Sequence, residues 1–186
     1  MRKLKLQVQT SIDGFIAGPN GEMDWVNQNW GDDINAYVTA ITEPVDTILL
    51  GRKLAEGFIP YWTGAYNNPE PAPGSKKFVE TPKIVFSKTL KKSDWDNTTI
   101  EYGDLKEAVN ALKKQDGGDM IAYGGGTFVS SLIREMLVDE LNLFINPSVL
   151  GKGMPIFQDV QALQNYTLAS TTPFDCGIVV LTYKAQ

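Results

Sequence analysis

The sequence predicts an α/β domain built on a central mixed, mostly parallel sheet, flanked by helices and finished with antiparallel C-terminal strands. Three observations carry this. Over the first two-thirds of the chain, short apolar strands alternate with segments of helical period, the pattern of a parallel sheet covered on both faces. From ELNLFINPSVL onward there are strand signals with no clear helix between them. The 186 residues, 42% hydrophobic and 21% charged, suffice for one domain over 1–186 with a substantial core.

In order along the chain, LKLQVQT alternates Leu4, Leu6 and Val8 with polar residues, the period of a strand. SIDGFIAGPNGEMDW carries Asp-Gly, Gly-Pro and Asn-Gly turn signals, so an irregular loop is expected up to Trp25. DDINAYVTAI sets Ile34, Tyr37, Val38 and Ile41 on one helical face, with Asp32 or Asp33 as N-cap. DTILLG is a short buried strand, and RKLAEGF opens a helix from it. Between Phe58 and Gly74 the prolines Pro60, Pro69, Pro71 and Pro73 and the aromatics Tyr61, Trp62 and Tyr66 predict a non-periodic surface excursion over a site. KIVFS and TTIEY read as strands, and DLKEAVNALKKQ as an amphipathic helix with Asp104 and Glu107 at capping-box spacing. DMIAY is the next strand, followed by glycines and a helix to Met136. ELNLFI, the segment around YTLAS and GIVVLTYK complete the strands, the last one holding Cys176 as a small buried apolar residue.

Composition removes several classes of function. The net charge of -5 argues against broad electrostatic binding of nucleic acid. No run approaches the ~20 apolar residues of a membrane span. A single cysteine precludes an internal disulfide framework and suits a reducing cytoplasm. Histidine is absent, which removes Ser-His and Cys-His nucleophile pairs, His-ligated zinc and the imidazole base. Chemistry here falls to carboxylates, tyrosine, lysine, backbone groups or a borrowed cofactor.

The stretch AYGGGTFVSSLI places Gly124, Gly125 and Gly126 between an apolar strand and a helix. Such a junction points free N–H groups outward at the positive end of the helix, where phosphate binds readily. Without Cβ atoms a pyrophosphate can approach the backbone, and Thr127 adds a hydroxyl. The pattern is neither GxGxxG nor a Walker motif, and a tight turn with close strand-helix packing explains it equally well. DTILLGRKL repeats the layout with Gly51, Arg52 and Lys53, and KIVFSKTL offers Ser87, Lys88 and Thr89 at a third strand end. Ligands gather at the carboxyl ends of strands in open parallel sheets, so the three junctions together suit a ligand with several phosphates.

The stretches SIDGFIAG, DTILLGRKL, KIVFSKTL, YGGGTFVSSLI and LVDELNLFINPSVLGKGMPIF, in this order and over nearly the whole chain, resemble the dihydrofolate reductase superfamily, in the branch of the riboflavin-pathway pyrimidine reductase domain. The resemblance implies a dihydrofolate reductase-like three-layer fold and bound NADPH. By position, Gly51, Arg52 and Lys53 would hold its phosphates, with Arg52 and Lys88 near the 2′-phosphate and Ser87 beside the adenosine. Gly124, Gly125, Gly126 and Thr127 would cradle the pyrophosphate. Ile16 and Ala17 would border the nicotinamide on a mobile loop that Trp25 closes near the substrate. Asp33 is the nearest candidate for the acid in the first helix, and Asp13 lies in the S-x-D-G loop, where turn-making and substrate contact both remain open. A cofactor that carries the hydride chemistry agrees with a chain lacking histidine.

The sequence departs from the folate reductases where their arginine grips the folate tail: Thr81 stands there, and no arginine lies between Arg52 and Arg134. Nor is there an H-x-E and C-x-x-C set for a fused zinc deaminase. The expected function is an NADPH-dependent reductase of a small heterocycle, of the 5-amino-6-(5-phosphoribosylamino)uracil reductase type and with no metal. Alternatives are a paralogue reducing a carbonyl or pterin compound, a non-catalytic NADP-binding module, or an interaction protein using YWTGAY. The resemblance implies a cytoplasmic homodimer.

Overall fold

The computed structural model describes residues 1–158 and 160–186. Its elements in chain order are β1 (Leu4–Thr10), β2 (Phe15–Ala17), α1 (Asp32–Thr42), β3 (Val45–Gly51), α2 (Arg52–Tyr66), α3 (Ser75–Glu80), β4 (Lys83–Phe86), β5 (Thr98–Glu101), α4 (Leu105–Lys113), β6 (Asp119–Tyr123), α5 (Gly126–Arg134), β7 (Glu140–Ile145), β8 (Met154–Pro155), β9 (Tyr166–Pro173) and β10 (Val179–Ala185). An eight-stranded sheet has the order β5-β4-β3-β6-β1-β7-β10-β9. Its strands from β5 to β7 are parallel, and β10 and β9 add antiparallel at one edge. The predicted mixed sheet is therefore present, with the antiparallel additions where expected. No helix among the described residues is long and apolar enough to cross a membrane.

One face of the sheet carries a continuous apolar layer. Leu4, Leu6 and Val8 of β1 meet Leu49, Met120, Ala122, Leu141 and Leu143 of neighbouring strands, with Val109 of α4 and Val129, Leu132 and Ile133 of α5 above them. The opposite face carries two separate clusters. One gathers Ile48, Leu50, Ile121 and Tyr123 under Ala55 and Ile59 of α2. The other packs Ile34 of α1 against Phe144, Ile178 and Val180.

Five local expectations need correction. Helix α2 runs through Pro60 to Tyr66, so the excursion shrinks to residues 67–74. A mid-helix proline costs about 3 kcal/mol. The ring contacts of Phe58 and Trp62, one turn apart, with Phe78 at 5.3 and 4.1 Å offset that cost. The N-cap of α1 is Gly31, without a side-chain cap; Asp32 and Asp33 lie in the first turn, where they still face the helix's positive end. The expected loop before Trp25 contains β2, paired antiparallel with β8, and α5 ends at Arg134. Cys176 is half-buried in the turn before β10 and lies outside the strand. Asp104 does cap α4, accepting from the Glu107 amide at 3.0 Å.

Candidate functional site

The strands β4, β3, β6 and β1 are consecutive in the sheet and parallel, so their carboxyl ends lie side by side. Gly51 is in register with Phe86, the residue before Ser87. A Cβ on Gly51 would lie 2.7 Å from Phe128 Cβ. That is closer than any side chain tolerates, so the first turn of α5 rests directly on the end of β3. The Phe128 ring stacks on Phe86 at 5.2 Å, which joins the β4 end to the same spot. Gly125 has φ +105, and a Cβ there would touch Leu54 Cβ at 3.4 Å. A Cβ on Gly126 would meet Ile16 Cδ1 at 3.5 Å. Gly51, Leu54, Gly125, Gly126 and Ile16 thus come together where these strands end, at the candidate crevice.

Helix α5 begins at Gly126 with Gly125 as N-cap and no side-chain cap. The N–H groups of its first turn are left for a ligand or water. The side chain at Gly125 would need a backbone that L-residues rarely adopt, which explains a glycine there. Thr127 is exposed at the mouth.

The cations that follow β3 and β4 are bonded locally or exposed. Arg52 Nη1 pairs with Glu56 Oε1 at 2.6 Å, and both side chains are well exposed. Lys53 is exposed on the same turn. Lys88 Nζ donates to the Tyr102 and Gly103 carbonyls at 3.0 and 2.6 Å, leaning toward the end of β5. Ser87 Oγ accepts from the Thr89 and Leu90 amides at 3.2 and 2.8 Å, which closes the turn after β4.

Ile16 and Ala17 are buried in the β2–β8 ribbon, so the segment expected to border a nicotinamide is a paired strand. Trp25 is half-buried, its indole N–H donating to the Glu22 carbonyl at 3.1 Å. The two carboxylates serve the backbone. Asp13 accepts from Ser11 Oγ at 2.7 Å and from the Leu150 and Gly151 amides at 3.1 and 2.7 Å. The Ser11 hydroxyl and then these amides hold its carboxyl below the ordinary carboxylate value. Asp33 accepts from the Asp175 and Ile34 amides at 2.9 and 2.7 Å, and these bonds lower its pKa likewise. It is thereby tied to the β9–β10 turn. Among the described residues no cluster of histidine, cysteine or carboxylates could hold a metal ion.

A polar set that the sequence did not lead us to expect lies on the face of the sheet beneath α1 and α2. Gln7 is in register with Tyr123 on one side and Asn142 on the other. Asn146, fully buried, donates from Nδ2 to Gln9 Oε1 at 2.8 Å and accepts the Asn27 amide at 2.9 Å. The alternation in β1 carries the signal, but alternation alone indicates only the period of a strand.

The family model for the RibD C-terminal domain matches residues 2–180. The chain belongs to the RibD C-terminal domain family. The uncharacterized protein YyaP of Bacillus subtilis (strain 168) is 36% identical over 188 residues, 98% of this chain and 94% of YyaP. Among solved structures, a diaminohydroxyphosphoribosylaminopyrimidine deaminase/5-amino-6-(5-phosphoribosylamino)uracil reductase from Thermotoga maritima superposes with TM-score 0.70. It is 17% identical, over 100% of this chain and 57% of that one. The dihydrofolate reductase of Enterococcus faecalis complexed with NADP(H) gives TM-score 0.64 at 17% identity, over 99% and 96% of the two chains. The expected dihydrofolate reductase-like fold is therefore found, and it is a reductase-type fold.

Proposed function

We propose that this RibD C-terminal domain protein is an NADPH-dependent reductase that delivers hydride to a small heterocyclic substrate. One observation supports the reading: β4, β3 and β6 are neighbours in the sheet, Gly125 caps α5 without a side chain, and Arg52, Lys53 and Lys88 lie in the turns that follow β3 and β4. We read the glycine turn as a pyrophosphate cradle because Gly125 caps α5 without a side chain and the first-turn N–H groups have no intrahelical partner. When bound, NADPH would supply the hydride. The α5 amides and Thr127 would hold its pyrophosphate, Arg52 and Lys88 its 2′-phosphate, and Ile16 the edge of its ring pocket. Ser87 would lie against the adenosine. Asp13 and Asp33 are committed to backbone amides, so we assign the proton to water.

The same commitment favours a second reading, a non-catalytic NADP-binding module. Oxidation of NADPH in the presence of a panel of pterins, pyrimidines and carbonyl compounds separates the two. The test of the shared core is titration with NADPH followed by nicotinamide fluorescence. Saturation at micromolar cofactor is expected, and no binding at high micromolar concentration defeats both readings. The reading carries a cytoplasmic homodimer with it, as the family resemblance implies.

A further inference from the structure

Strand β1 lies in the middle of the sheet, where both faces are covered and side chains are normally apolar. On one face it is: Leu4, Leu6 and Val8 join the continuous layer. On the other it presents Lys5, Gln7 and Gln9, and this polar row lies between the two apolar clusters under α2 and α1. The row is closed at its amino end, where Lys5 Nζ reaches the Ile41 carbonyl at 3.2 Å and Asp119 Oδ2 at 3.1 Å. Toward its carboxyl end it runs beside Tyr123 and so toward Gly124 and the crevice.

Gln7 is 7% exposed, and its Oε1 is buried with no hydrogen-bond partner among the described residues. Neither neighbour in register, Tyr123 or Asn142, makes a hydrogen bond to it. Asn142 is fully buried and bonded elsewhere, its oxygen accepting from Thr182 Oγ1 at 3.0 Å and its nitrogen donating to Glu140 Oε1 at 3.2 Å. Thr182 is in turn engaged by Tyr37 at 3.1 Å. A buried acceptor left empty is destabilising, so a chain that retains one in a central strand implies a donor from outside. Gln9 supplies the complement: Asn146 occupies its oxygen, which leaves its Nε2 to donate. The two carboxamides stand two residues apart on one face, about 7 Å along the strand.

Resting on the reductase reading, we propose that Gln7 and Gln9 determine specificity, floor the substrate cleft between α1 and α2, and select a planar, uncharged heterocycle. Its ring N–H would donate to Gln7 and an exocyclic or ring acceptor would take the Gln9 amide. The cleft therefore reads its substrate through neutral amides, with no carboxylate in the contact. Sites built around such bonds reject an analogue lacking the matching group strongly.

The test titrates the full chain, with and without NADPH, against 6-aminouracil and 1,3-dimethyl-6-aminouracil by calorimetry. The unmodified chain is expected to bind 6-aminouracil at least about tenfold more tightly than the dimethyl compound, which has no ring N–H. Gln7→Met is expected to erase that preference while leaving the NADPH dissociation constant within about twofold. Its melting temperature should not fall, since an unpaired buried amide is replaced by an apolar group of similar shape. Equal binding of the two compounds, binding of neither, or an undiminished preference in Gln7→Met would overturn the proposal. The comparison of ligands needs no variant, so it decides the matter even where Gln7→Met fails to fold. Loss of NADPH binding alongside a retained ligand preference would instead remove the reductase reading and keep the amide cleft.

Discussion

Replacing Arg52 by alanine probes the cofactor assignment directly. Among the described residues Arg52 is engaged by Glu56 alone, an i,i+4 pair at 2.6 Å with side chains 36% and 48% exposed. Such an exposed pair contributes about 0.3–0.5 kcal/mol, so little is lost from the fold, and the melting temperature should move by no more than a few degrees. A guanidinium–phosphate contact, charged on both sides, contributes about 1.5–3 kcal/mol. Releasing Arg52 from Glu56 subtracts the smaller figure and leaves about 1–2.5 kcal/mol, between about fivefold and seventyfold in affinity. Arg52→Ala should therefore weaken NADPH by about that factor and NADH by less than about twofold, measured by fluorescence titration at fixed ionic strength. Glu56→Gln should act in the opposite direction and tighten NADPH by about twofold, because the guanidinium no longer leaves a partner to reach the phosphate. Equal losses for the two cofactors in Arg52→Ala would refute the assignment of this side chain to the 2′-phosphate.

Gly125→Ala forces an L-residue to φ +105 and should cost about 1–3 kcal/mol of stability, seen as a lower denaturant midpoint together with weaker NADPH binding. Asp33→Asn should leave the rate of NADPH oxidation within a few-fold at saturating substrate, since Asp33 holds the Asp175 amide at the far hairpin; a loss of several orders of magnitude would return it to the chemistry. Asp13 has a folded pKa below its ordinary value of 3.8. Its contribution to stability is thus present above pH 3.8 and disappears as the pH falls through the lower folded value. Asp13→Asn should lower the melting temperature at pH 7, with the difference shrinking as the pH falls below 3.8; a difference independent of pH would remove the charge from the explanation.

The parallel core of the fold was legible because each strand-to-helix junction announces itself locally. DTILLG ends in the one residue that tolerates Phe128 at its back, and YGGG precedes a segment with clear helical period. The same locality made the candidate site readable, since strand ends that are adjacent in a parallel sheet bring their turn residues together. Local signals failed where distant packing decides. Pro60 punctuates the sequence as a helix breaker, yet Phe58 and Trp62 find Phe78 and Tyr123 across the layer and hold the helix through it. The carboxylates show the same limit. Asp13 and Asp33 bond locally to Ser11 and Ile34, but their other partners, Gly151 and Asp175, lie more than a hundred residues away. Gln7 and Gln9 were hidden in plain alternation, because only the sheet order shows that their strand is central.

The carboxylate of Asp13 and the pairing of Phe15–Ala17 with Met154–Pro155 fasten two distant loops into one piece. Gly153 sits so close beneath Ala17 that a Cβ would come within 2.3 Å of its carbonyl, and Ser130 Oγ ties Ile156 to α5 at 2.9 Å. The segment around Ile16 is consequently a brace, anchored to the very helix whose amino end has no side-chain cap. For the proposed reductase, a nucleotide passing this segment would need the whole brace to lift with α5, or a route past Arg52 and Lys88 that displaces their present partners, Glu56 and the Tyr102 and Gly103 carbonyls.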